Sequence, residues 1–525
     1  MKTRILPPFS DGSTRLIIAL CFALNVSFAW GQTSEDVALK IDAALTPIVI
    51  CSNGETRETL VQAFDVVSPP DVVLTTVSAP RFLSRLEARV GDAVVGYFEI
   101  NEDFDSDPNS TTTTPTQIAI PIDDKNMLAN GGEITLWATP SEFADPETSV
   151  NIGIKSIKTG DETILFDAAP IEYRFGVLVR DSGWDGVAQY RIPALATTRS
   201  GALLAVYDAR WNGFPDLPAD IDVVCSRSFD GGKTWGKMTT VMDFEGEAPV
   251  KEGVGDPSVL VDPQTGRIWC AGIWGHGGLG VWNSQPGLEF GTSPRFVLCY
   301  SDDDGKTWSE PRDITNEAAP GKDWRHFFQG PGIGIALRDG KLVFPAQFTD
   351  RDGKWFATLI WSEDAGETWN VGTGAHPDTC EAQVVELNDG SLMLNMRHFT
   401  DKFRAVATTS DLGSTWSEHP TSGSALIEPV CQASLLRVKS TVDGDDVDLL
   451  AFLNPKSQTA RANMTLRLSD DEGMTWSREL VLYRKPCLGY SAMTKLDDET
   501  LGVLYETTGG LIFQRVKLSD VTTVE

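Results

Sequence analysis

One eight-residue pattern, Ser/Thr-x-Asp-x-Gly-x-Thr-Trp, recurs five times in this chain and restricts its fold more than any other feature. The first copy is Ser228-Phe229-Asp230-Gly231-Gly232-Lys233-Thr234-Trp235. The others end at Trp308 (with Asp303 and Gly305), Trp369 (Asp364, Gly366), Trp416 (Asp411, Gly413) and Trp476 (Asp471, Gly473), so the tryptophans lie 73, 61, 47 and 60 residues apart. The composition of each copy is that of a hairpin turn. Asp and Ser/Thr side chains bond nearby backbone N–H groups, Gly permits positive φ, and the Trp packs between strands and pins the turn. The five aspartates are therefore read as turn-builders rather than metal ligands or catalytic acids. Self-similarity at this period marks the blades of a β-propeller, each a four-stranded sheet. From Tyr173 to the end, about 350 residues at about 58 per blade give six blades, one without a box.

The rest of the chain agrees with an all-β protein. It holds 47 Gly, 29 Pro and 15 Trp among 525 residues, and helical periodicity is weak apart from a short piece near Glu35–Ala44. Period-two alternation at Glu133–Trp137 and Val150–Ile154 predicts strands ahead of the propeller. Residues 33–168 are thus expected to form a β-sandwich, interrupted by a long polar surface loop over Asn101–Pro115. At the N-terminus Lys2, Arg4 and Arg15 precede an apolar run from Leu16 to Trp30, and Ala29 and Gly31 fit a small-x-small cleavage site. Residues 1–31 read as a signal peptide, the alternative being an N-terminal membrane anchor, so the protein is expected to be secreted or periplasmic. Beyond Cys21 seven scattered cysteines remain, with no Cys-x-x-Cys pair. They read as small buried apolar residues rather than a zinc site or disulfide framework.

A net charge of −30, from 44 basic and 74 acidic residues, argues against nucleic acid and anionic lipid as partners. It also means that an anionic substrate needs a local basic pocket. Gly275-His276-Gly277-Gly278-Leu279-Gly280 matches a dinucleotide fingerprint and follows a plausible strand, Arg267–Ile273, but Val281–Pro286 do not read as a helix. It is expected to be a glycine-rich loop. Neither a His-Glu-x-x-His zinc motif nor a Gly-x-Ser-x-Gly elbow is present. A propeller by itself does not define a function, and boxes of this kind also occur in binding proteins, so the discriminating residues must lie outside them.

Those residues form an ordered series: Tyr190-Arg191-Ile192-Pro193, Tyr207-Asp208-Ala209-Arg210, Pro215-Asp216-Leu217, Gly255-Asp256-Pro257, Cys380-Glu381-Ala382-Gln383, Leu394-Asn395-Met396-Arg397, Asn454-Pro455 before Arg461, Gly489-Tyr490-Ser491 and Leu504-Tyr505-Glu506. The series resembles that of the bacterial exo-α-sialidases with Asp-box (BNR) repeats and spans residues 173–525. The region ahead of it resembles, less specifically, an accessory β-domain of that family. One departure is Tyr190 in place of the commoner Phe, which leaves Arg191 in position.

The resemblance implies roles that the chemistry supports. Arg191, Arg397 and Arg461 match a three-arginine cluster for the substrate carboxylate, to which a planar guanidinium binds bidentately without ever deprotonating. Tyr490 matches a nucleophile, in a family whose tyrosine is an exception among retaining glycosidases. A neutral phenol escapes repulsion by the substrate carboxylate but needs an adjacent base, for which Glu381 stands. Asp216, with Asp220 and Asp222 as close rivals, matches the general acid/base. Glu506 is implied to orient Arg191, Arg210 and Asp256 to contact the sugar's hydroxyl and amide groups, and Trp274 and Gln347 to line its acyl and glycerol pockets. The implied function is hydrolysis of terminal sialic acid on glycoproteins, glycolipids and oligosaccharides, without metal or organic cofactor, by a chain expected to be monomeric. A trans-sialidase, a glycosidase for a related nonulosonic acid and a non-catalytic glycan-binding propeller are the alternatives.

Overall fold

The computed structural model describes residues 46–66, 70–100, 115–166, 169–244, 252–442 and 445–523. The signal-peptide segment, the helical piece near Glu35–Ala44 and all of the polar stretch except Pro115 lie outside these residues. The described chain is all-β, with a single α-helical turn at Thr315–Ala318.

Beyond Tyr173, five sheets whose principal strands are antiparallel follow one another in chain order. The first is built from Gln189–Thr197, Leu203–Arg210, Ile221–Ser228 and Thr239–Met242. The next three start at Val254–Val261, His326–Gln329 and Thr379–Glu386, and the fifth at Ser434–Val442. In each, four principal strands pair in chain order, and short strands add to the second sheet (Gly332–Ile333), the third (Ile335–Ala336) and the fifth (Thr522–Thr523). A sixth sheet takes Ser491–Lys495, Thr500–Glu506 and Gly510–Lys517 from the C-terminal end, and its fourth strand, Ile171–Asp181, from before the first sheet.

The repeated box is the turn between third and fourth strands of the first five sheets. Ser228 Oγ donates to Asp230 Oδ1 (2.8 Å) and accepts from Gly232 N (2.8 Å). Asp230 accepts from Thr234 N (2.9 Å) and Thr234 Oγ1 (2.5 Å). The same bonds recur around Asp303, Asp364, Asp411 and Asp471. The box glycine meets two demands at once. Its φ is positive, and a Cβ on Gly232 would lie 2.0 Å from the Phe513 ring, one on Gly366 2.2 Å from the Trp269 ring. The Phe513 ring belongs to the sixth sheet and the Trp269 ring to the second. Trp235 and Trp369 likewise pack on Phe513 and Trp269, at 5.2 and 6.1 Å between centroids. These box tryptophans therefore join neighbouring sheets, beyond the pinning of their own turn that the pattern predicts.

Ahead of the first sheet, Thr59–Val66, Gly132–Pro140, Leu83–Val90 and Ala93–Glu99 make one sheet, and Val72–Val77, Thr116–Pro121, Ser149–Thr159 and Glu162–Leu165 belong to another. One core draws Phe64, Leu86 and Leu136 from the former and Val73, Ile118 and Ile152 from the latter. Strand Ile171–Asp181 is shared: Ile171–Arg174 pair with Ser149–Ile152, and Val177–Asp181 with Gly510–Phe513. All seven cysteines among the described residues are buried and unbridged.

Candidate active site

Up-and-down pairing sends the boxes to one end of the sheets and the other candidate residues to the opposite end. Arg191, Asp256 and Glu381 lie near the start of first strands. Arg210, Trp274, Gln347, Arg397 and Glu506 lie at or near the ends of second strands. Asp216 and Arg461 follow second strands, and Tyr490 immediately precedes a first strand. The first strands of the first, second and fourth sheets each shift register here, between Arg191 and Ala194, Gly255 and Ser258, and Thr379 and Ala382. Ile192 and Asp256 adopt φ of 55° and 56° within these bulges. Bulges of this kind re-aim side chains at a sheet end.

Tyr490 is the centre of the arrangement. Its hydroxyl donates a short hydrogen bond to Glu381 Oε1 and accepts one from Arg397 Nη1 at 3.0 Å. Arg397 Nη1 also bonds Glu381 Oε2 at 2.6 Å. The guanidinium carbons of Arg191 and Arg461 stand 5.2 and 5.6 Å from the Tyr490 ring, so all three arginines meet at one side chain. Burial, with the charge of Glu381 second, holds the Tyr490 phenol well above its ordinary pKa, against the pull of Arg397 and Arg461. The hydroxyl is thus protonated at rest and bonded to its acceptor.

Arg191 and Arg461 are anchored away from the centre, whereas Arg397 bonds Glu381 and Tyr490 within it. Glu506, fully buried, accepts from Arg191 Nε (2.8 Å), Arg191 Nη2 (3.3 Å), Ile192 N (2.8 Å) and Tyr490 N (2.9 Å). Arg461 donates to the carbonyls of Leu488 (2.9 Å) and Val430 (3.2 Å). Behind Arg397 runs a buried ion pair that the sequence reading missed. Arg404 Nη1 bonds Glu428 Oε2 (2.9 Å) and the Cys431 carbonyl (2.7 Å), and Glu428 accepts from His398 N (2.8 Å) and Cys431 N (3.2 Å). It ties the backbone next to Arg397 to the segment that anchors Arg461. Charges buried this deeply persist only when fully bonded.

A second group adjoins the first. Arg210, 1% exposed, bonds Asp208 (2.9 Å) and reaches Asp216 Oδ1 (2.7 Å) through Nη1. Asp216 itself is 72% exposed. Asp208 also accepts from Asp256 N at 2.9 Å. Burial raises the pKa of Asp208 and, joined by the charges of Asp208 and Asp216, raises that of Asp256 well above the carboxylate range. Asp208 was not singled out from the sequence, though its position two residues before Arg210 in a strand places both on one face. The rivals of Asp216 are engaged elsewhere, Asp220 with Asn212 Nδ2 (2.9 Å) and Asp222 with Trp211 Nε1 (2.7 Å). Gln347 is linked to Asp256 indirectly, donating to the Gln329 carbonyl (3.2 Å) while Gln329 donates to that of Asp256 (2.5 Å). Trp274 is held by Glu252 (3.0 Å) and Phe244 (centroids 4.3 Å apart), in a separate cluster with His276 and Phe290. The glycine-rich stretch beside it forms single 3-10 turns, His276–Gly278 and Val281–Asn283.

Residues 201–504 match the family described as BNR repeat-like domain. A sialidase of Bacteroides fragilis is 44% identical over 387 residues, covering 71% of each chain. A sialidase of Micromonospora viridifaciens is 35% identical over 348 residues, 64% of this chain and 53% of that protein. The solved structure of the Hadza microbial sialidase Hz136 superposes with a TM-score of 0.79 at 33% identity, covering 92% of this chain and all of that one. Fold, repeats and relatives together define a glycoside hydrolase. The chain belongs to the bacterial exo-α-sialidase family with BNR repeats.

Proposed function

We propose that the protein hydrolyses terminal sialic acid from glycans with retention, using Tyr490 as nucleophile, on a six-bladed propeller (residues 173–525) preceded by a β-sandwich (residues 33–168). The observation that carries the reading is the Tyr490 hydroxyl, bonded to Glu381 and bracketed by Arg191, Arg397 and Arg461. The six consecutive sheets, the sixth completed from before the first, and the core shared by the two N-terminal sheets support the architecture. The three arginines grip the carboxylate of the substrate and supply local positive charge on a chain of net charge −30. Glu381 takes the phenolic proton as Tyr490 Oη bonds to the anomeric carbon. The bond to the leaving oxygen breaks, and Asp216, held by Arg210 on an exposed loop, gives that oxygen its proton. In the second half, Asp216 takes a proton from water and the water oxygen bonds to the anomeric carbon. The bond to Tyr490 breaks, and Glu381 returns the proton to the phenolate.

The run from Leu16 to Trp30 supports export through residues 1–31 as a signal peptide. No helix among the described residues is long and apolar enough to cross a membrane. Tyr490→Phe tests the mechanism. It should cut release of sialic acid from sialyllactose by orders of magnitude at an unchanged melting temperature. Wild-type turnover by that variant would remove the nucleophile role from Tyr490.

A further inference from the structure

Trp282 is the most exposed large apolar side chain among the described residues, at 78%. Single exposed apolar residues are ordinary, but this one begins a chain of rings. Its indole lies 5.8 Å from that of Trp355, and Trp355 lies 5.3 Å from Phe399 in an edge-on contact. The guanidinium carbon of Arg397 stands 5.8 Å from the Phe399 ring, and Arg397 bonds the Tyr490 hydroxyl. His326 backs Trp355 at 4.7 Å. The rings thus run without a break from the candidate active centre to solvent.

The other flank of Trp282 says which part of a substrate would meet it. Two residues earlier, Gly280 is pressed against the loop that carries Asp216, so closely that a Cβ there would lie 2.3 Å from the Leu217 carbonyl oxygen. Leu217 and Val281 pack against one core. The segment that carries Trp282 is therefore packed on the loop that carries Asp216, the group assigned to protonate the leaving oxygen, and the rings lead from Trp282 back to Arg397. The sugar bonded through that oxygen must leave past this position. The apolar C–H face of a pyranose complements an exposed indole, and a flat ring with a second one behind it fixes orientation at small entropic cost.

Resting on the sialidase reading above, we propose that Trp282, backed by Trp355, is a stacking platform for the sugar on the leaving-group side of the sialyl bond. The test compares sialic acid release from sialyllactose and from methyl α-sialoside, which carries no sugar on that side, by wild type, Trp282→Ala and Trp282→Phe. Trp282→Ala should lower kcat/KM for sialyllactose about tenfold and change that for the methyl sialoside less than about twofold. Trp282→Phe should restore most of the loss. An equal loss on both substrates, or none on sialyllactose, overturns the platform while leaving the sialidase reading intact. Wild-type protein that releases sialic acid from neither compound overturns the sialidase reading and the platform with it.

Discussion

Replacing Glu506 by Gln removes one charge at the best-connected carboxylate beside the candidate active centre and adds no volume. Glu506 accepts four hydrogen bonds, and every donor is an N–H: two from the Arg191 guanidinium and the backbone amides of Ile192 and Tyr490. A Gln carbonyl oxygen placed at Oε1 keeps the bonds from Arg191 Nε and Ile192. Its NH2 group then faces Arg191 Nη2 and Tyr490 N, donor against donor, and both bonds are lost. At about 1.5 kcal/mol for each hydrogen bond to a charged acceptor, the low end of the usual range, the loss is about 3 kcal/mol. Breaking a buried ion pair by removing one partner costs about 3–5 kcal/mol, which meets that figure from the other side. The penalty falls on the backbone of Tyr490 and on the Arg191 guanidinium together. Glu506→Gln should therefore melt a few degrees lower and lose about a hundredfold in kcat/KM for sialyllactose, if most of the 3 kcal/mol is expressed as misplacement in the transition state. Differential scanning calorimetry and initial rates on the same preparation read both quantities. An unchanged melting temperature with an unchanged rate would refute the argument that this carboxylate positions Arg191 and Tyr490.

Arg461→Ala removes a guanidinium that rests on two carbonyls and the Tyr490 ring, without breaking an ion pair. Substrate binding should weaken by about 1.5–3 kcal/mol, seen as a raised KM, and unchanged KM and kcat would exclude Arg461 from the site. In the boxes, the Thr415 hydroxyl, its backbone amide and Thr409 lower the pKa of Asp411 from 3.8 to about 2. A lowered folded-state value stabilises above the unfolded pKa, and that contribution is lost as pH falls through the folded one. The stability gap between wild type and Asp411→Asn should accordingly close between about pH 4 and pH 2 in acid-unfolding curves. A gap independent of pH across that window would exclude the carboxylate charge as its source.

Most of the fold is legible in the five boxes because each binds its own turn through side chains within eight residues. The sixth sheet explains why five boxes accompany six sheets. Its third strand, Gly510–Lys517, pairs with Ile171–Asp181, which precedes the first sheet, so there is no turn there to build. The sequence motifs located Tyr490, Glu381 and the arginines, each beside a strand end. What they left out acts across longer distances. Arg404 and Glu428 pair over 24 residues and touch no motif that marks them. The inter-sheet clearance of Gly232 and Gly366 depends on rings in other sheets. Trp282 lies in a stretch whose glycines first suggest a nucleotide loop, and its significance comes from what Gly280 and Trp355 touch.

The strand Ile171–Asp181 also imposes an order in time. It is made before the five intervening sheets, yet its partner, Gly510–Lys517, is made after their principal strands. During synthesis its outer half presents an unpaired edge, which is a template for wrong pairing with another chain. The inner half is already occupied, pairing with Ser149–Ile152, and Ile48–Cys51 adds a parallel strand along Phe175–Leu178. The N-terminal sheets therefore act as a nurse for the waiting strand, holding it extended and partly covered until the C-terminal segment arrives to close the chain on itself.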